Sequence, residues 1–595
     1  MTTRATRGTR RRTVVALAVI LTVLAAFVFR LVDIQVVHAD DHVADSMTKL
    51  STSTSIPGAR GDIVDENGTV LASDAFVYDS QLDPKLIDTY EKETDPKKKP
   101  ELSWAQASEK IAEIVGMEPD EVRELVSSAL EANPNSRYAK LKNGLSTDQY
   151  LALRDLHLAY VASKKRAVRV YPNGAVAGNL VGFLNGEGEP QYGIERMDQK
   201  CLAATDGSNS YKIGRGGVRI PGSERIVPAI DGGTVQLTID SDLNWYLQQM
   251  IAEETQRQGA QTGSVTVVEV KTGKIRAAAE YPAVDPNNIN TVDPTYWRSH
   301  IFSDAYEPGS TFKAITAATI IDQGKATPTS HVTAPARVTF PNGTTINDPF
   351  PHPVHEYTLA GALIDSSNVS LSKFGTMVDP ATRADYLKRF GVGEKTAVGF
   401  PAEQKGLIKD ADKWNGGDVY TTTFGQAFTV TPAQLAGAYQ ALANDGKKID
   451  LSLVESCTDA DGTVHEAAAP KSEQIVKPDT AKQVQRMLEN VAVQGGNAKT
   501  TAVPGYRIGL KTGSAQKSSG NGPGYKKGVY FTSMVGIAPI EDPQYVVVVT
   551  LDEPTKMRTS AADAVAFQQA MTQVLKTYRV APSSEPMDAL LPKFN

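Results

Sequence analysis

Two residues three positions apart, Ser310 and Lys313, carry side chains that together could attack a carbonyl group. On a helix this spacing stacks the amine over the hydroxyl on one face. A serine needs a base to become a nucleophile, and a lysine supplies one if burial or a second cation lowers its pKa. The pair therefore predicts a serine acyl transferase of the Ser-x-x-Lys type.

The Ser-x-x-Lys pattern is weak by itself, because it occurs elsewhere in the chain. The other matches are Ser46 with Lys49, Ser370 with Lys373, and Ser514 with Lys517. Two later elements, in a fixed order, distinguish Ser310 from these. They are Ser366-Ser367-Asn368 and Lys511-Thr512-Gly513-Ser514.

The elements that must position these residues indicate an α+β domain. Five apolar segments have the character of strands, two early and three late, with a helical block between them. They cover residues 265–270, 275–279, 506–510, 529–537 and 545–551, and a helix is predicted over 561–578. A second Lys-Thr-Gly, at 271–273, is interpreted as a hairpin turn. Lys511 instead ends a strand and precedes a flexible Gly/Ser-rich loop at 518–528.

The composition excludes several classes of protein. The chain has 595 residues, of which 41% are apolar and 22% charged, and a formal net charge of -6, so it has room for several domains and no basic surplus for nucleic acid. Cys201 and Cys457 are too few for a disulfide framework, and whether they pair stays open. His352 and His355 lie among prolines, so we expect no metal there, and we expect no cofactor.

The N-terminus has the pattern of a membrane anchor. Residues 1–12 carry five arginines and no acid, and residues 13–29 are uncharged and apolar. We predict a cytoplasmic basic tail over 1–12 and a transmembrane helix over 13–37, with the rest of the chain outside. A signal peptide cleaved near residues 37–39 is the alternative, and it also places the large domain outside the cytoplasm.

The N-terminal half has its own pattern. Residues 38–59 suggest an exposed stem, and Asn67-Gly68 predicts a hairpin between two apolar segments. Helices are predicted over 104–115, 119–132 and 147–156, each opened by a capping residue or a proline.

Taken together, these residues resemble the class B penicillin-binding proteins, the membrane-anchored D,D-transpeptidases that cross-link bacterial peptidoglycan. The N-terminal half matches the pedestal motifs of that family, except that Glu66 stands where arginine is usual. The matching residues are Arg60, Gly61, Ile63, Asp65, Asn67 and Gly68, then Arg169, Tyr171, Pro172, Gly174, Gly182, Phe183, Gly193 and Glu195.

The resemblance implies the domain organisation. A penicillin-binding transpeptidase domain, with a five-stranded antiparallel sheet and helices on both sides, is expected over residues 226–580. It would stand on an elongated mixed pedestal, the class B dimerisation module, over residues 38–225. Residues 581–595 are expected to form a polar C-terminal tail.

The resemblance also implies roles in catalysis. Ser310 would attack the penultimate D-Ala carbonyl of a stem peptide ending in D-Ala-D-Ala. Lys313 would be the base, with its amine kept neutral by burial and by Lys511. Ser366 would relay a proton to the leaving amine, and Asn368 would hold the substrate amide. β-Lactams would mimic the substrate and acylate Ser310.

Substrate binding is implied for the Lys-Thr-Gly-Ser segment, which would form an edge strand along which the peptide lies. The hydroxyls of Thr512 and Ser514 would bind the substrate carboxylate, with Gly513 between them. Backbone N–H groups of Ser310 and Ser514 would form the oxyanion hole.

Residues 306–310 and 423–426 resemble the septum-forming, cell-division branch of the family. That branch implies a SEDS-type glycosyltransferase and divisome proteins as partners, contacted through the anchor and pedestal. Alternatives are an elongation-type class B transpeptidase, a D,D-carboxypeptidase, and a β-lactam sensor or scaffold. A carboxypeptidase has the same three elements, so only the acceptor distinguishes it. The intact catalytic set argues against a scaffold.

Overall fold

The computed structural model describes residues 7–33, 51–213, 219–520 and 524–595. The possible cleavage site at 37–39 and the Ser46–Lys49 match lie outside these residues. So do residues 1–6 of the predicted basic tail, 34–37 of the predicted span, and 38–50 and 214–218 of the predicted pedestal.

The chain begins with helix α1, Arg7–Val32. Among the described residues, one helical stretch, Arg11–Val32, is long and apolar enough to cross a membrane. The apolar N-terminal helix predicted from the sequence is therefore confirmed.

The pedestal combines strands with helices. The strands of the pedestal and of the segment that follows it are β1 (Ser51–Ile56), β2 (Ile63–Val64), β3 (Val70–Leu82), β4 (Ala139–Leu145), β5 (Val161–Val170), β6 (Gly207–Lys212), β7 (Arg225–Val227) and β8 (Thr234–Leu237). Its helices are α2 (Pro84–Lys92), α3 (Trp104–Val115), α4 (Pro119–Ala132), α5 (Thr147–Asp155), α6 (Gly178–Val181), α7 (Gly193–Met197) and α8 (Gln199–Leu202).

The three helices predicted in this region are confirmed, because their start signals operate as expected. Ser103 and Ser146 form capping boxes with the residues three positions on. Within the predicted exposed stem, residues 53–55 are exposed as expected, but residues 51–56 form strand β1, which pairs antiparallel with β6. The alternating serines and threonines of this segment are compatible with a strand, although their polarity alone suggested an unpaired segment.

The pedestal motif residues gather around the fully buried carboxylate of Glu195. Arg60 Nε donates to one of its oxygens at 2.6 Å, and Arg169 Nε to the other at 2.7 Å. Arg169 also reaches Asp74, and the Tyr171 hydroxyl donates to Glu195 at 3.3 Å. Distant motifs thus form one buried ion network.

The following domain contains a longer series of elements. Its strands are β9 (Thr262–Glu269), β10 (Ile275–Tyr281), β11 (His331–Ala334), β12 (Arg337–Thr339), β13 (Thr345–Asn347), β14 (His355–Thr358), β15 (Lys447–Ile449), β16 (Val454–Thr458), β17 (Val464–Glu466), β18 (Ser472–Gln474), β19 (Gly509–Ser518), β20 (Tyr525–Ala538) and β21 (Tyr545–Asp552). Its helices are α9 (Ser241–Gln258), α10 (His300–Ser303), α11 (Lys313–Asp322), α12 (Leu359–Ile364), α13 (Asn368–Gly375), α14 (Pro380–Arg389), α15 (Asp418–Thr421), α16 (Pro432–Ala443), α17 (Pro478–Gln494), α18 (Ala498–Thr501) and α19 (Ala564–Thr577).

The centre of this domain is an antiparallel five-stranded sheet in the order β10-β9-β21-β20-β19. Helices α9 and α19 pack on one face, and α16 and α17 on the other. The predicted α+β architecture is confirmed.

One detail was wrong: β19 continues to Ser518, so Lys511 lies inside the edge strand and not at its end. Of the predicted flexible loop at 518–528, Ser518 and residues 525–528 belong to β19 and β20, and residues 521–523 lie outside the described part.

A second sheet joins the two halves of the chain, in the order β17-β16-β8-β2-β3-β4. Beside it, a disulfide links Cys201 at the end of the pedestal to Cys457 in β16, which answers the open question of their pairing. Glu66, the departure from the family motif, also crosses between the halves. It pairs with Arg276 and accepts a hydrogen bond from the Tyr578 hydroxyl at 3.1 Å.

Candidate active site

Ser310 lies in a 3-10 turn, Gly309–Phe312, which leads directly into α11. In a 3-10 helix residues i and i+3 eclipse, so the turn keeps Ser310 and Lys313 on one side. Ser310 is half-buried, whereas Lys313 has no exposed surface. The turn is held from outside, because the Gly309 N–H donates to the Gly425 carbonyl at 2.9 Å.

The amine of Lys313 binds the second element of the predicted site. It donates to the carbonyl oxygen of Ser366 and lies 3.1 Å from the Ser366 Oγ. Ser366 has a φ of 57°, which is uncommon for a non-glycine residue and turns the chain sharply before α13.

The amine of Lys511 approaches the same hydroxyl from the edge strand. It lies 3.1 Å from Ser366 Oγ and 3.2 Å from the Thr512 carbonyl, and Lys511 is fully buried. Three residues that are far apart in the sequence, Lys313, Ser366 and Lys511, therefore meet in one cluster.

Burial perturbs both amines. Desolvation and the positive charge of Lys511 lower the pKa of Lys313 well below its usual value, and Asp348 acts weakly in the opposite direction. Desolvation lowers the pKa of Lys511 to about 7. Both shifts favour neutral amines, which is what a lysine base requires.

Asn368 is the first residue of α13 and is half-buried. Its side-chain amide donates to the Asn347 carbonyl at 3.0 Å, which fixes it beside β13. Sequence reasoning missed Asp348, which directly follows Asn347 in the chain. Its carboxylate accepts from the Ser367 hydroxyl at 2.7 Å and from the Val369 N–H at 2.9 Å, and so holds the start of α13.

Asp348 gives no signal in the sequence, because it is a lone acid some twenty positions before the residues it holds. Its other neighbour is His352, whose Nε2 lies 2.8 Å from the Asp348 carboxylate. His352 therefore supports the segment that carries Asp348. Among the described residues, no group of His, Cys, Asp and Glu side chains is arranged to hold a metal ion.

The predicted substrate strand is the free edge of the sheet. It borders the turn Gly309–Phe312, which we call the nucleophile turn because Ser310 is the predicted nucleophile. Thr512 is half-buried, and Gly513 is buried against Ser533 and Pro308. Ser514 is exposed, and its Oγ accepts from the Ser560 N–H at 2.8 Å. That contact uses an acceptor lone pair, so the Ser514 hydroxyl proton is available for a ligand.

Glu307, just before the nucleophile turn, connects two further segments. It accepts from the Ala427 N–H at 2.8 Å and from the Tyr525 hydroxyl at 2.9 Å. Burial raises the pKa of the Glu307 carboxyl. Glu307 therefore ties the nucleophile turn to the start of β20.

The competing Ser-x-x-Lys pairs have other partners. Lys373 donates to the Thr333 carbonyl at 2.5 Å, and Lys517 pairs with Asp552 at 2.8 Å. Ser370 is buried and bonds to the Ser367 hydroxyl. Of the matches in the described residues, Ser310 with Lys313 is the pair that meets the second and third elements.

Comparison with known families accounts for this arrangement. Residues 263–572 match the family model of the penicillin binding protein transpeptidase domain. Residues 55–237 match that of the penicillin-binding protein dimerisation domain. The chain belongs to the penicillin-binding protein transpeptidase family, in its class B arrangement.

Relatives extend over nearly the whole chain. Penicillin-binding protein PbpB of Mycolicibacterium smegmatis is 31% identical, covering 95% of this chain and 90% of that protein. Peptidoglycan D,D-transpeptidase FtsI of Escherichia coli K12 is 28% identical over 95% of this chain and 91% of FtsI. Penicillin binding protein 3 of Mycobacterium tuberculosis, solved with aztreonam, superposes with a TM-score of 0.69 at 26% identity, covering 91% of this chain and 100% of that one.

Proposed function

We propose that this protein is a peptidoglycan D,D-transpeptidase that cross-links stem peptides through a serine acyl-enzyme during septum synthesis. The observation that carries the proposal is the convergence of the buried Lys313 and Lys511 amines on the Ser366 hydroxyl, beside the turn that bears Ser310. Family membership and the relatives' names support the same reaction.

Acylation begins when the Ser310 hydroxyl oxygen attacks the carbonyl carbon of the penultimate D-Ala. The neutral Lys313 amine accepts the hydroxyl proton, a step of a kind that contributes about 10² to 10⁴ in rate. Backbone N–H groups of Ser310 and Ser514 stabilise the oxyanion. The C–N bond then breaks, and the terminal D-Ala leaves with a proton relayed through Ser366.

The substrate peptide lies along the free edge of β19. It pairs antiparallel with this strand, and the main-chain hydrogen bonds supply affinity, as when a peptide adds a strand to a sheet. Thr512 and Ser514 bind its carboxylate, with Gly513 between them, and Asn368 holds its amide. The acceptor amine of a neighbouring stem then attacks the ester, loses its proton to the base, and regenerates the Ser310 hydroxyl. β-Lactams enter by the first step and remain attached to Ser310.

The protein is anchored in the cell membrane by α1, with its N-terminus in the cytoplasm and its bulk outside. The arginines before the span support this orientation, and the Cys201–Cys457 disulfide supports an oxidising surrounding for the large domain. A SEDS-type glycosyltransferase and divisome proteins are the proposed partners. The proposed domains stay 38–225 for the pedestal, 226–580 for the transpeptidase and 581–595 for the tail, close to the two family-model ranges.

Fluorescent penicillin labelling of membranes tests the nucleophile. The native protein and the control Ser128→Ala, altered on the exposed face of α4, are expected to be labelled, and Ser310→Ala is not. Equal labelling of Ser310→Ala would refute the assignment.

Separate measurements are needed to identify what accepts the acyl group and to distinguish the cell-division branch of the family from the elongation branch. With a D-Ala-D-Ala donor peptide and an amine-bearing stem, we expect cross-linked product to exceed hydrolysed product, whereas hydrolysis alone would indicate a D,D-carboxypeptidase. Depletion is expected to give filaments without septa, and swollen, rounded cells would favour the elongation-type branch.

A further inference from the structure

The C-terminal tail, expected to be merely polar, is fixed along the surface of the transpeptidase domain. The Ser583 N–H donates to the Gly505 carbonyl at 3.0 Å, and Arg486 donates to the Ala589 carbonyl at 3.1 Å. Leu591 is buried, and its N–H donates to Asn490 at 2.8 Å. These contacts guide the last residues towards β14.

The last three residues add to the edge of β14. Phe594 forms an antiparallel bridge with Tyr357, and its ring stacks on His355 with centroids 4.2 Å apart. The Thr358 N–H donates to the Lys593 carbonyl at 3.0 Å. A Cβ at Gly361 would lie 1.9 Å from that carbonyl, so a glycine is required where the tail crosses α12.

The side chain of Lys593 reaches the residue that precedes Ser366. Its amine pairs with Asp365 at 2.6 Å, and the Tyr357 hydroxyl donates to the other oxygen of Asp365 at 3.3 Å. Asp365 is the C-cap residue that follows α12, and the chain then turns through the left-handed conformation of Ser366. The Lys313 amine contacts the carbonyl oxygen and the Oγ of Ser366. Both atoms belong to the residue directly after Asp365.

We propose that Lys593 is a positioning residue for acyl transfer: the tail clamps Asp365 so that Ser366 holds the Lys313 amine in place. The inference rests on the proposed function and extends it to a segment more than 200 residues from Ser366 in the sequence. A tail that serves only for stability would change unfolding without changing the chemical step.

The full-length protein is assayed with a fluorescent penicillin, separating the binding constant from the acylation rate constant. Lys593→Met is expected to lower the acylation rate constant roughly ten- to a hundred-fold, because small displacements of a catalytic group are costly, and to leave binding nearly unchanged. Lys593→Arg is expected to restore most of the rate. The control Asp588→Asn removes a tail contact with Arg486, away from Asp365, and is expected to behave as native.

A double-mutant cycle tests whether Lys593 acts through Asp365. If it does, Asp365→Asn and the double variant with Lys593→Met lower the rate to a similar extent, since residues in one network are non-additive. Independent effects that multiply, or a native rate in Lys593→Met, would overturn the inference. Failure of the native protein to be acylated at Ser310 would instead refute the proposed function.

Thermal unfolding of each variant gives the remaining comparison. A rate loss in Lys593→Met at temperatures where the variant stays folded supports positioning. A lower midpoint with a native acylation rate constant would show a structural tail and would also overturn the inference.

Discussion

The buried amines of Lys313 and Lys511 share one acceptor, because each lies 3.1 Å from the Ser366 hydroxyl oxygen. Two ammonium groups this close, without exposed surface, repel one another, so the pair favours a state with fewer than two positive charges. The shared hydroxyl thus couples the proposed base to the substrate strand.

The first prediction concerns the pH dependence of acylation. The proposed base, Lys313, can accept a proton only when its amine is neutral, and its pKa is lowered. The rate should therefore rise with pH and level off well below the ordinary lysine value of 10.5. Rates of penicillin acylation measured across the pH range of native folding check this. An inflection near 10.5 would contradict the assignment of Lys313 as base.

Lys313→Met should lower the acylation rate about 10²- to 10⁴-fold, the range typical of general base catalysis. Lys373→Met is the matched control, since Lys373 belongs to a competing Ser-x-x-Lys pair and contacts the Thr333 carbonyl. Similar losses in both variants would point to a general effect of removing a lysine from the domain.

The second prediction is that Lys511 is held at a cost in stability. Folding lowers its pKa from 10.5 to about 7, so unfolding takes up a proton between these values and the free energy of unfolding rises with pH there. Near neutral pH, Lys511→Met should raise the free energy of unfolding by roughly 1 to 4 kcal/mol. The same variant should lose acylation.

Denaturant unfolding of both proteins at several pH values measures this difference. The gain should shrink as pH approaches the unfolded value of 10.5, because the amine is then largely neutral in the unfolded chain too and folding no longer has to remove its proton. A variant that is less stable than the native protein at neutral pH would show that the hydrogen bonds of Lys511 outweigh its desolvation.

The third prediction concerns Gly425, which supports the nucleophile turn. It has a φ of 88°, and an added Cβ would lie 1.9 Å from the Gly309 carbonyl oxygen. Gly425→Ala should therefore displace the turn and lower acylation by at least about tenfold. Gly462→Ala, at a similar φ in open space, controls for the backbone strain alone, and equal acylation in both variants would contradict the prediction.

The central sheet was predictable because its strands have strong local signals. The predicted segments that became β9, β10, β20 and β21 are rich in apolar residues, with four consecutive valines in β21, and are bounded by turn residues. The extent of β19 was missed, since the polar part after Leu510, which includes Gly513, has low strand propensity and is extended because it pairs with β20.

The candidate site was predictable in its members but not in its geometry. Ordered motifs and family resemblance supplied Ser310, Lys313, Ser366 and Lys511, yet nothing in their spacing gave the shared hydroxyl. Asp348, the Lys593–Asp365 pair and the cysteine pairing escaped prediction for one physical reason. Each joins residues through tertiary packing, and a single charged or thiol side chain leaves no periodic signal.

The last prediction concerns Glu195, which is buried between Arg60 and Arg169. Glu195→Gln leaves the largely buried Arg60 without its carboxylate and Arg169 with Asp74 alone, so the variant should lose roughly 3 to 5 kcal/mol of stability. The exposed Glu187→Gln in the same module should lose little. Because the network lies in the pedestal, the variant should still label at Ser310 with fluorescent penicillin at temperatures where it remains folded. A folded Glu195→Gln that does not label would instead mean that the ion network transmits its geometry to the acyl-transfer site.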